Sequence, residues 1–421
     1  MKILVIGGGL MGSSVAWKLA EQGAKVTLLE QQGEKFDHGS SYGLARIARS
    51  LGPQKDVFSF VHNRTVNETK KLINFLNKKD KKKPHDMEDI YTNSPVSYLY
   101  SKDQSDEIDQ LNFKKQRNDY QKASGSAARR KFGVNLKSNQ VLVREFREFS
   151  GTLNPHELIQ KLRLGIALKG SKIVFNQKVT RLIKKGNYFE LQILNTKSQK
   201  TKTIKAKKVV IAAGPYTVEV LKDFAPYFDR IITPKRVLTA YFKIAKKLSK
   251  KALNNIIAGH PMYSQLDKEY YSMIEKWDTD GAPIFKAGGH KIRNDITDLD
   301  QVWNGIPPKK EIKWLKKQFR NHLQMLGILL KKEEIKNVGY MNCVYSMTQT
   351  EVPLVTHIFN QRGSIDKNIV VIAGMSGIGA KGSLGYGTIG ANLILGHPKE
   401  ASKIYQIAAK AFGDYPVRLN T

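Results

Sequence analysis

Near its N-terminus the chain reads KILVIGGGLMG over Lys2–Gly12. The apolar run Lys2–Ile6 predicts a buried strand, and apolar residues at helical spacing over Ser13–Gln22 predict a helix after the glycines. The pattern G-x-G-x-x-G between a strand and a helix is typical of a dinucleotide-binding βαβ unit. A second strand, predicted over Lys25–Glu30, places the Glu30 carboxylate where such folds bind ribose hydroxyls, which favours a dinucleotide with a free 2′-hydroxyl.

The glycines of this motif have separate physical roles. Gly7 permits the tight turn, Gly9 lets a pyrophosphate approach the backbone, and Gly12 lets the helix pack against the strand. The helix N-terminus adds N–H donors and the positive end of its dipole for the phosphates. Met11 and Gln31 lie next to these positions in the sequence and are included among the candidate cofactor contacts.

A second glycine-rich turn, GMSGIGAK, occupies Gly374–Lys381 and follows an apolar strand predicted over Asn368–Ala373. An enzyme that uses only a nicotinamide cofactor does not need a second strand-to-helix turn. Backbone N–H groups at Gly377 and Gly379 could instead face the anionic edge of a reduced flavin. A loop that serves packing alone is the alternative. The two turns together favour FAD over NAD.

The rest of the sequence shows three different patterns. Residues 230–300 alternate like antiparallel strands, Trp314–Leu330 has the spacing of an amphipathic helix, and residues 78–150 are polar and irregular. The predicted fold class is α/β (α+β), with an FAD-binding Rossmann-like βαβ domain and a second substrate domain built on an antiparallel sheet. The predicted FAD-binding domain is discontinuous over 1–80, 151–228 and 335–421, and the substrate-binding domain takes 81–150 and 229–334.

The charge balance is strongly basic, with 70 Lys and Arg against 37 Asp and Glu and a formal net charge of +33. The lysines recur along the whole chain without a zinc-finger or RNP-type motif, which favours a solvated surface and no nucleic-acid partner. A basic protein that binds nucleic acid or an anionic membrane surface is the alternative from another functional class. Salt-sensitive binding to DNA or to anionic vesicles, without a bound flavin, would distinguish it.

Cysteine content and hydropathy predict the compartment. Cys343 is the single cysteine, so an intrachain disulfide and a zinc site of several cysteines are excluded, and no metal is expected. No signal peptide pattern precedes the first strand. No uncharged apolar run of about 18 residues predicts a transmembrane helix. We therefore expect a cytoplasmic protein without a transmembrane segment.

Four segments, taken in order, resemble the monomeric sarcosine oxidase family within the D-amino-acid-oxidase-like flavoproteins. The first is the N-terminal glycine motif with Glu30. Gly39–Arg49 is similar to G-S-x-H-G-x-x-R-x-x-R, and Phe285–His290 is similar to K-x-G-x-H. Cys343–Lys381 is similar to C-x-Y-x-x-T followed by G-x-S-G-x-G-x-K. The order and spacing agree over nearly the whole chain and are weakest over residues 78–150.

The resemblance implies a role for each matching residue. Cys343 would bind the flavin covalently as a thioether, which requires a thiol able to become a thiolate. Lys286 would lie against the reduced flavin and stabilise negative charge during the reaction with O₂. Arg49 and Lys381 would bind a substrate carboxylate. Further contacts implied by the resemblance are His290 and Tyr345 in the substrate pocket, and Ser40, Ser41, Arg46, Val179, Gly214 and Lys381 at the FAD.

Each of these roles has a simpler alternative. Cys343 could be an ordinary buried cysteine, Lys286 a solvated lysine, and Arg49 a partner in a structural salt bridge. The sequence also departs from the family pattern, because Tyr42 replaces its usual His, Leu44–Ala45 replaces a polar pair, and Ala380 replaces a bulkier residue.

The predicted activity is FAD-dependent oxidation of the C–N bond of a secondary amine or amino acid that carries a carboxylate. The substrate would be of the sarcosine or N-methyl amino acid type, and the products an imine and H₂O₂, with O₂ as the acceptor. A dehydrogenase of the same fold, which passes electrons to a protein or quinone, is the alternative, and Lys286 favours the oxidase. The resemblance favours a monomer.

Overall fold

The computed structural model describes residues 2–49, 57–104, 119–266, 268–359, 364–396 and 402–413. The α-helices are α1 (Leu10–Glu21), α2 (Val57–Lys79), α3 (Gly125–Phe132), α4 (Pro155–Leu168), α5 (Thr217–Leu221), α6 (Phe228–Ile231), α7 (Lys250–Gly259), α8 (Lys309–Met325), α9 (Gly379–Leu395) and α10 (Lys403–Gly413). Short 3₁₀ helices cover Met87–Asp89, Lys102–Gln104, Gly214–Tyr216, Val302–Asn304 and Lys332–Glu334.

The strands are β1 (Lys2–Ile6), β2 (Lys25–Leu29), β3 (Arg46–Ala48), β4 (Tyr91–Asn93), β5 (Val96–Ser101), β6 (Tyr120–Ser124), β7 (Gln140–Glu145), β8 (Gly151–Leu153), β9 (Lys172–Val174), β10 (Gln177–Lys185), β11 (Tyr188–Asn195), β12 (Thr201–Ala206), β13 (Val209–Ile211), β14 (Ile232–Ile244), β15 (Met262–Ser264), β16 (Tyr270–Trp277), β17 (Pro283–Gly289), β18 (Asn294–Asp295), β19 (Ile335–Thr348), β20 (Leu354–Phe359) and β21 (Ile365–Ala373).

A six-stranded sheet in the order β20-β21-β13-β1-β2-β9 forms the centre of the dinucleotide-type fold. Strand β1 is parallel to both of its neighbours, β2 and β13. Its residues are buried on both faces, as is usual for a central parallel strand. Ile3 and Val5 pack in the cluster that contains helices α1, α4 and α9. Leu4 and Ile6 pack on the other face, against the β10-β11-β12 sheet. This burial explains the continuous apolar run of β1.

The connection from β1 to α1 is a very close backbone contact. A Cβ atom on Gly12 would lie 1.7 Å from the Gly7 carbonyl oxygen, and Gly7 has a φ of +98°. Only glycine at both positions allows this turn, because a side chain would clash at the first and strain the backbone at the second. The helix begins at Leu10, three residues before the predicted start at Ser13. The turn therefore delivers the N-terminus of α1 directly to the carboxyl end of β1.

The second large sheet has nine strands in the order β18-β14-β17-β16-β15-β5-β7-β6, with β19 paired to β14. Helix α8 packs on one face through Phe319, which stacks on Phe242 and contacts Phe285. Successive side chains of a strand point to opposite faces. Lys286 therefore points away from α8, toward the opposite face of the sheet. That face carries most of the residues predicted to do chemistry.

The predicted fold class is confirmed, and three local expectations need correction. Residues 78–150 are not irregular, since β4 to β7 lie there and β5 is almost wholly buried. The amphipathic helix predicted over Trp314–Leu330 is α8, which begins and ends five residues earlier, because Gly327 with a φ of +78° follows it. Strand β19 belongs to the nine-stranded sheet, although its sequence lies in a range predicted for FAD binding. The domain boundaries themselves stay a prediction. No described helix is long and apolar enough to cross a membrane.

Candidate active site

A cavity of about 290 Å³ is lined by residues of both large sheets. Its lining includes all but one of the residues predicted to contact the cofactor or the substrate. They are Gly7, Gly9, Met11, Glu30, Gln31, Ser40, Ser41, Arg46, Arg49, Val179, Gly214, Lys286, His290, Cys343, Tyr345, Gly377, Gly379 and Lys381. The exception is Gly12, which lies beneath the first glycine turn, against Gly7. Residues from distant parts of the sequence thus meet at one site.

At the dinucleotide end, side chains fix the shape of the first glycine turn. The Gly8 N–H donates to Oε2 of Glu30 at 2.6 Å, and the other oxygen of Glu30 accepts the Gln32 N–H at 2.8 Å. The Leu10 N–H donates to Oγ of Ser41 at 3.0 Å. Arg163, which the sequence analysis missed, donates to the Gly8 carbonyl at 3.2 Å. Its position in the middle of α4 gave no sequence signal of this contact.

The second glycine turn is held against β19 by a serine. The Ser376 N–H donates to the Ser346 carbonyl at 2.9 Å, and Oγ of Ser376 accepts the Thr348 N–H at 3.2 Å. Gly374 and Gly377 have positive φ angles of 64° and 82°. This backbone path directs the N-terminus of α9, which begins at Gly379, into the cavity. A helix N-terminus is a source of N–H donors and of positive potential.

Strand β19 brings Cys343 to the cavity wall, where it is 6% exposed. The loop Gly39–Arg46 is tied to the same strand, because Oγ of Ser40 donates to the Val344 carbonyl at 2.6 Å. Arg46 stabilises that loop through its own backbone, donating to the carbonyls of Tyr42 and Ala45. Cys343 and Arg46 therefore lie on two segments that are fixed to each other.

Lys286 is a buried cation, with 1% of its surface exposed. Its Nζ donates to the Ala45 carbonyl at 3.2 Å and lies 3.4 Å from Oε2 of Glu275. Burial lowers the pKa of Lys286 to about 8, and the charge of Arg46 acts in the same direction, while Glu275 opposes both. The solvated-lysine alternative is thus wrong for this residue. The sequence analysis missed Glu275, which looks like an ordinary strand residue.

The Arg49 guanidinium lies between two tyrosine rings. It is 5.5 Å from the centre of the Tyr98 ring and 5.6 Å from that of Tyr263. The Tyr98 hydroxyl donates to Glu145 at 2.8 Å, and the Tyr263 hydroxyl donates to Glu269 at 2.5 Å. Within the described ranges no carboxylate lies at ion-pair distance from Arg49, so the salt-bridge alternative finds no partner there. Aromatic faces hold a guanidinium by cation–π attraction and leave its N–H donors available.

Lys381 adds a second cation near Arg49. Burial, together with the positive charge of Arg49, holds the pKa of Lys381 well below its usual range. As with Arg49, no carboxylate from the described part of the chain pairs with it. Two desolvated cations that share no counterion are costly, and a bound anion would relieve that cost.

His290 and Tyr345 contact each other on the cavity wall. Nδ1 of His290 lies 3.3 Å from the Tyr345 hydroxyl. Burial, together with the charges of Arg293 and Lys381, lowers the pKa of His290 to about 3. Burial raises the pKa of Tyr345 well above its usual range. Both groups are therefore neutral at pH 7 and can serve as uncharged hydrogen-bonding partners.

A family model described as FAD dependent oxidoreductase matches residues 2–393 of the sequence. The chain belongs to this family. The predicted resemblance is confirmed at this level, and so is the prediction that the protein is a flavin-dependent enzyme. The chain is 23% identical to a probable sarcosine oxidase of Arabidopsis thaliana. The aligned region of 401 residues covers 93% of this chain and 88% of the relative.

Solved structures of the same fold span the whole chain. L-proline dehydrogenase from P. horikoshii superposes with a TM-score of 0.72 at 16% identity, over 100% of this chain and 98% of its own. NikD, an unusual amino acid oxidase essential for nikkomycin biosynthesis, gives 0.69 at 19% identity, over 98% and 97%. Glycine oxidase from Bacillus cereus gives 0.66 at 18% identity, over 96% and 97%. These likenesses show the fold, and the family match shows that the protein is an FAD-dependent oxidoreductase.

The residues at the cavity fit the FAD that this family uses. The cavity continues from Glu30, past the turn at Gly7, to the wall that holds Cys343 and Lys286. An acid and a helix N-terminus at one end suit a ribose and a pyrophosphate. Cationic side chains and a second helix N-terminus at the other end suit a ring that becomes anionic on reduction. Among the described residues no cluster of His, Cys, Asp or Glu could hold a metal ion.

The lowered pKa of Lys381 predicts a measurable stability effect. Its pKa is lowered on folding, so the unfolded chain binds more protons, and the cost to stability is greatest at low pH and vanishes above the unfolded pKa of about 10.4. We expect Lys381→Met to raise the free energy of unfolding, measured in urea without amine substrate, more at pH 6 than at pH 10. Lys313→Met, an exposed lysine on α8, is the control. A loss of stability, or a gain that does not depend on pH, would contradict this assignment.

Proposed function

We propose that the protein oxidises the C–N bond of a secondary amine or amino acid that carries a carboxylate, of the sarcosine or N-methyl amino acid type. Bound FAD supplies the two-electron acceptor for this chemistry. The amine loses two electrons and becomes an imine, which water hydrolyses, and O₂ accepts the electrons and two protons to give H₂O₂. The residues of the chain bind and orient the substrate.

The observation that carries this proposal is the pair of cations Arg49 and Lys381. They share the cavity with both glycine turns and lack a carboxylate partner among the described residues. The planar guanidinium of Arg49, held between Tyr98 and Tyr263, can donate two parallel N–H hydrogen bonds to a carboxylate. Lys381 adds a point charge beside it. A substrate with an anionic group would therefore be held in one orientation.

His290 and Tyr345 are both neutral. The space that they line, next to the substrate carboxylate, therefore suits an amine better than a second anion. His290 does not become protonated at neutral pH, because its pKa is about 3. It therefore adds no charge that would repel an amine, and its ring and the Tyr345 hydroxyl can orient the nitrogen.

The names of related proteins support small amino acids as substrates. The curated relative is a probable sarcosine oxidase, and structures of the same fold include a glycine oxidase and NikD, an amino acid oxidase. The same fold also occurs in an L-proline dehydrogenase, so the fold alone does not select the electron acceptor. Lys286 supports O₂, because a buried ammonium stabilises negative charge that develops on an acceptor.

We further propose the FAD contacts that the cavity supports. Glu30 and Gln31 would bind the ribose, Gly7, Gly9 and Met11 the pyrophosphate, and Val179 and Gly214 the adenosine side. The flavin ring would lie against Ser40, Ser41, Arg46, Gly377, Gly379 and Lys381. Cys343 would form a thioether to the ring, since it is the single thiol of the chain and lines the cavity wall.

Covalent attachment predicts that flavin stays with the polypeptide after acid precipitation. In Cys343→Ser the hydroxyl is too weak an acid to act as the nucleophile, so the same treatment should release FAD into the supernatant. The absorbance of the pellet and of the supernatant at flavin wavelengths measures both. Ser346→Ala, on the same strand, should keep its flavin bound. Release of all flavin from the unmodified protein would refute the thioether while leaving FAD binding intact.

Carboxylate recognition predicts selective loss of one substrate type. Arg49→Met keeps the length of the side chain but removes the guanidinium. It should weaken kcat/KM for N-methyl amino acids by about 2–5 kcal/mol, because the desolvated carboxylate then loses its bidentate partner and keeps only Lys381. Matched N-methyl amines without a carboxylate should change far less. Arg181→Met, whose arginine is paired with Asp223 away from the cavity, serves as the control. Equal losses for both substrate types would show that Arg49 does not bind the carboxylate.

A further inference from the structure

Glu275 is a buried carboxylate at a position that no motif of the sequence marks. It lies on β16, next to the strand β17 that carries Lys286. Its side chain is 6% exposed. A Cβ atom on Gly43 would lie 3.1 Å from each of three charged atoms, namely Nη1 of Arg46, Oε1 of Glu275 and Nζ of Lys286. The three side chains thus form one compact charge cluster beneath the loop Gly39–Arg46.

The two oxygens of Glu275 have different partners. Oε1 accepts the Leu44 N–H at 2.7 Å, which anchors the carboxylate to the loop. Oε2 lies at ion-pair distance, 3.4 Å, from Nζ of Lys286 and has no hydrogen-bond partner among the described residues. Lys286 in turn donates to the Ala45 carbonyl at 3.2 Å. The loop, the acid and the lysine are therefore connected in a closed ring of contacts.

The other groups near Lys286 do not replace this carboxylate. Arg46 is a cation, and its guanidinium donates to backbone carbonyls of its own loop. Tyr241 lies opposite Lys286 on β14, and burial raises its pKa. Burial likewise raises the pKa of Tyr271 to about 12. Cys343 acts on Lys286 in the same direction as Glu275, but it carries no charge once it is joined to the flavin as a thioether. Among the described residues, Glu275 is the only carboxylate at ion-pair distance from Lys286.

We propose that Glu275 is a positioning residue for Lys286, which fixes the ammonium against the loop Gly39–Arg46 and keeps it protonated in a buried site. The proposal rests on the proposed function, in which this ammonium assists electron transfer to O₂. Without Glu275, burial and the charge of Arg46 would lower the proton affinity of Lys286 further, with Cys343 left as an opposing group. The lysine would then lose its proton at lower pH and would be free to turn away from the loop.

The first test is the pH dependence of flavin re-oxidation. Holoprotein is reduced with dithionite and mixed rapidly with oxygenated buffer at pH values from 6 to 10, so no amine substrate is needed. The pKa of about 8 for Lys286 predicts that the rate of the unmodified protein falls around that pH. Glu275→Gln should shift the fall by about one pH unit to lower pH, a tenfold change in the proton affinity of Lys286.

Matched variants separate this effect from a general one. Asp278→Asn changes a half-buried carboxylate just after β16 that is bound to Lys243, and its profile should match that of the unmodified protein. Lys286→Met should abolish the pH-dependent fall and re-oxidise slowly throughout. If Glu275→Gln does not fold, Glu275→Asp, whose carboxylate is one methylene farther away, should shift the profile in the same direction by less. An unchanged profile in the Glu275 variants overturns the proposal.

The reduction potential of the bound flavin is the second, independent test. It is measured by equilibration with a reference dye under anaerobic conditions, without substrate or O₂. At pH 6, where Lys286 is protonated in both proteins, loss of the Glu275 charge should stabilise the reduced flavin. We expect the reduction equilibrium to shift by about tenfold, or ~30 mV for a two-electron couple. An identical potential contradicts the proposal. This result holds even if no amine proves to be a substrate, so the two proposals can fail separately.

Discussion

The architecture depends on one backbone contact, the approach of α1 to the end of β1. A Cβ atom on Gly12 would be 1.7 Å from the carbonyl oxygen of Gly7, so no other residue can occupy that position without moving the helix. The contact sets the direction of α1 and exposes its first turn to the cavity. Glu30 and Arg163 then bind the Gly8 backbone from two sides. Every later feature of the cofactor end is positioned relative to this turn.

At the other end of the cavity, the main feature is a set of buried cationic side chains. Arg49 lies between two tyrosine faces, and burial lowers the pKa of Lys381 beside it. No carboxylate among the described residues pairs with either of them. Lys286 is treated differently, since Glu275 compensates its charge. Arg49 and Lys381 can thus bind an anionic ligand, whereas Lys286 is held in place by Glu275. Such sites reduce the stability of the folded protein in exchange for binding energy.

Sequence reasoning found the parts of this site that are encoded locally. A glycine pattern between a strand and a helix has a fixed local geometry, so both turns and Glu30 could be predicted. Tyr98, Tyr263 and Glu275 could not, because their neighbours come from non-adjacent segments through sheet pairing, as β5 pairs with β15. Residues 78–150 looked irregular because β5 is buried nearly throughout and does not alternate. The end of α8 also depends on one residue, Gly327 with its positive φ, which periodicity alone does not resolve.

The most direct test of the account is anaerobic reduction of the holoprotein by a panel of amines. N-methyl and cyclic amino acids are mixed with the protein without O₂, beside the same amines without the carboxylate, and flavin absorbance is followed. The account predicts that at least one carboxylate-bearing secondary amine bleaches the flavin, that its carboxylate-free match does so far more slowly, and that air then restores the colour with one H₂O₂ per flavin. Bleaching by dithionite but by no amine in the panel would contradict it.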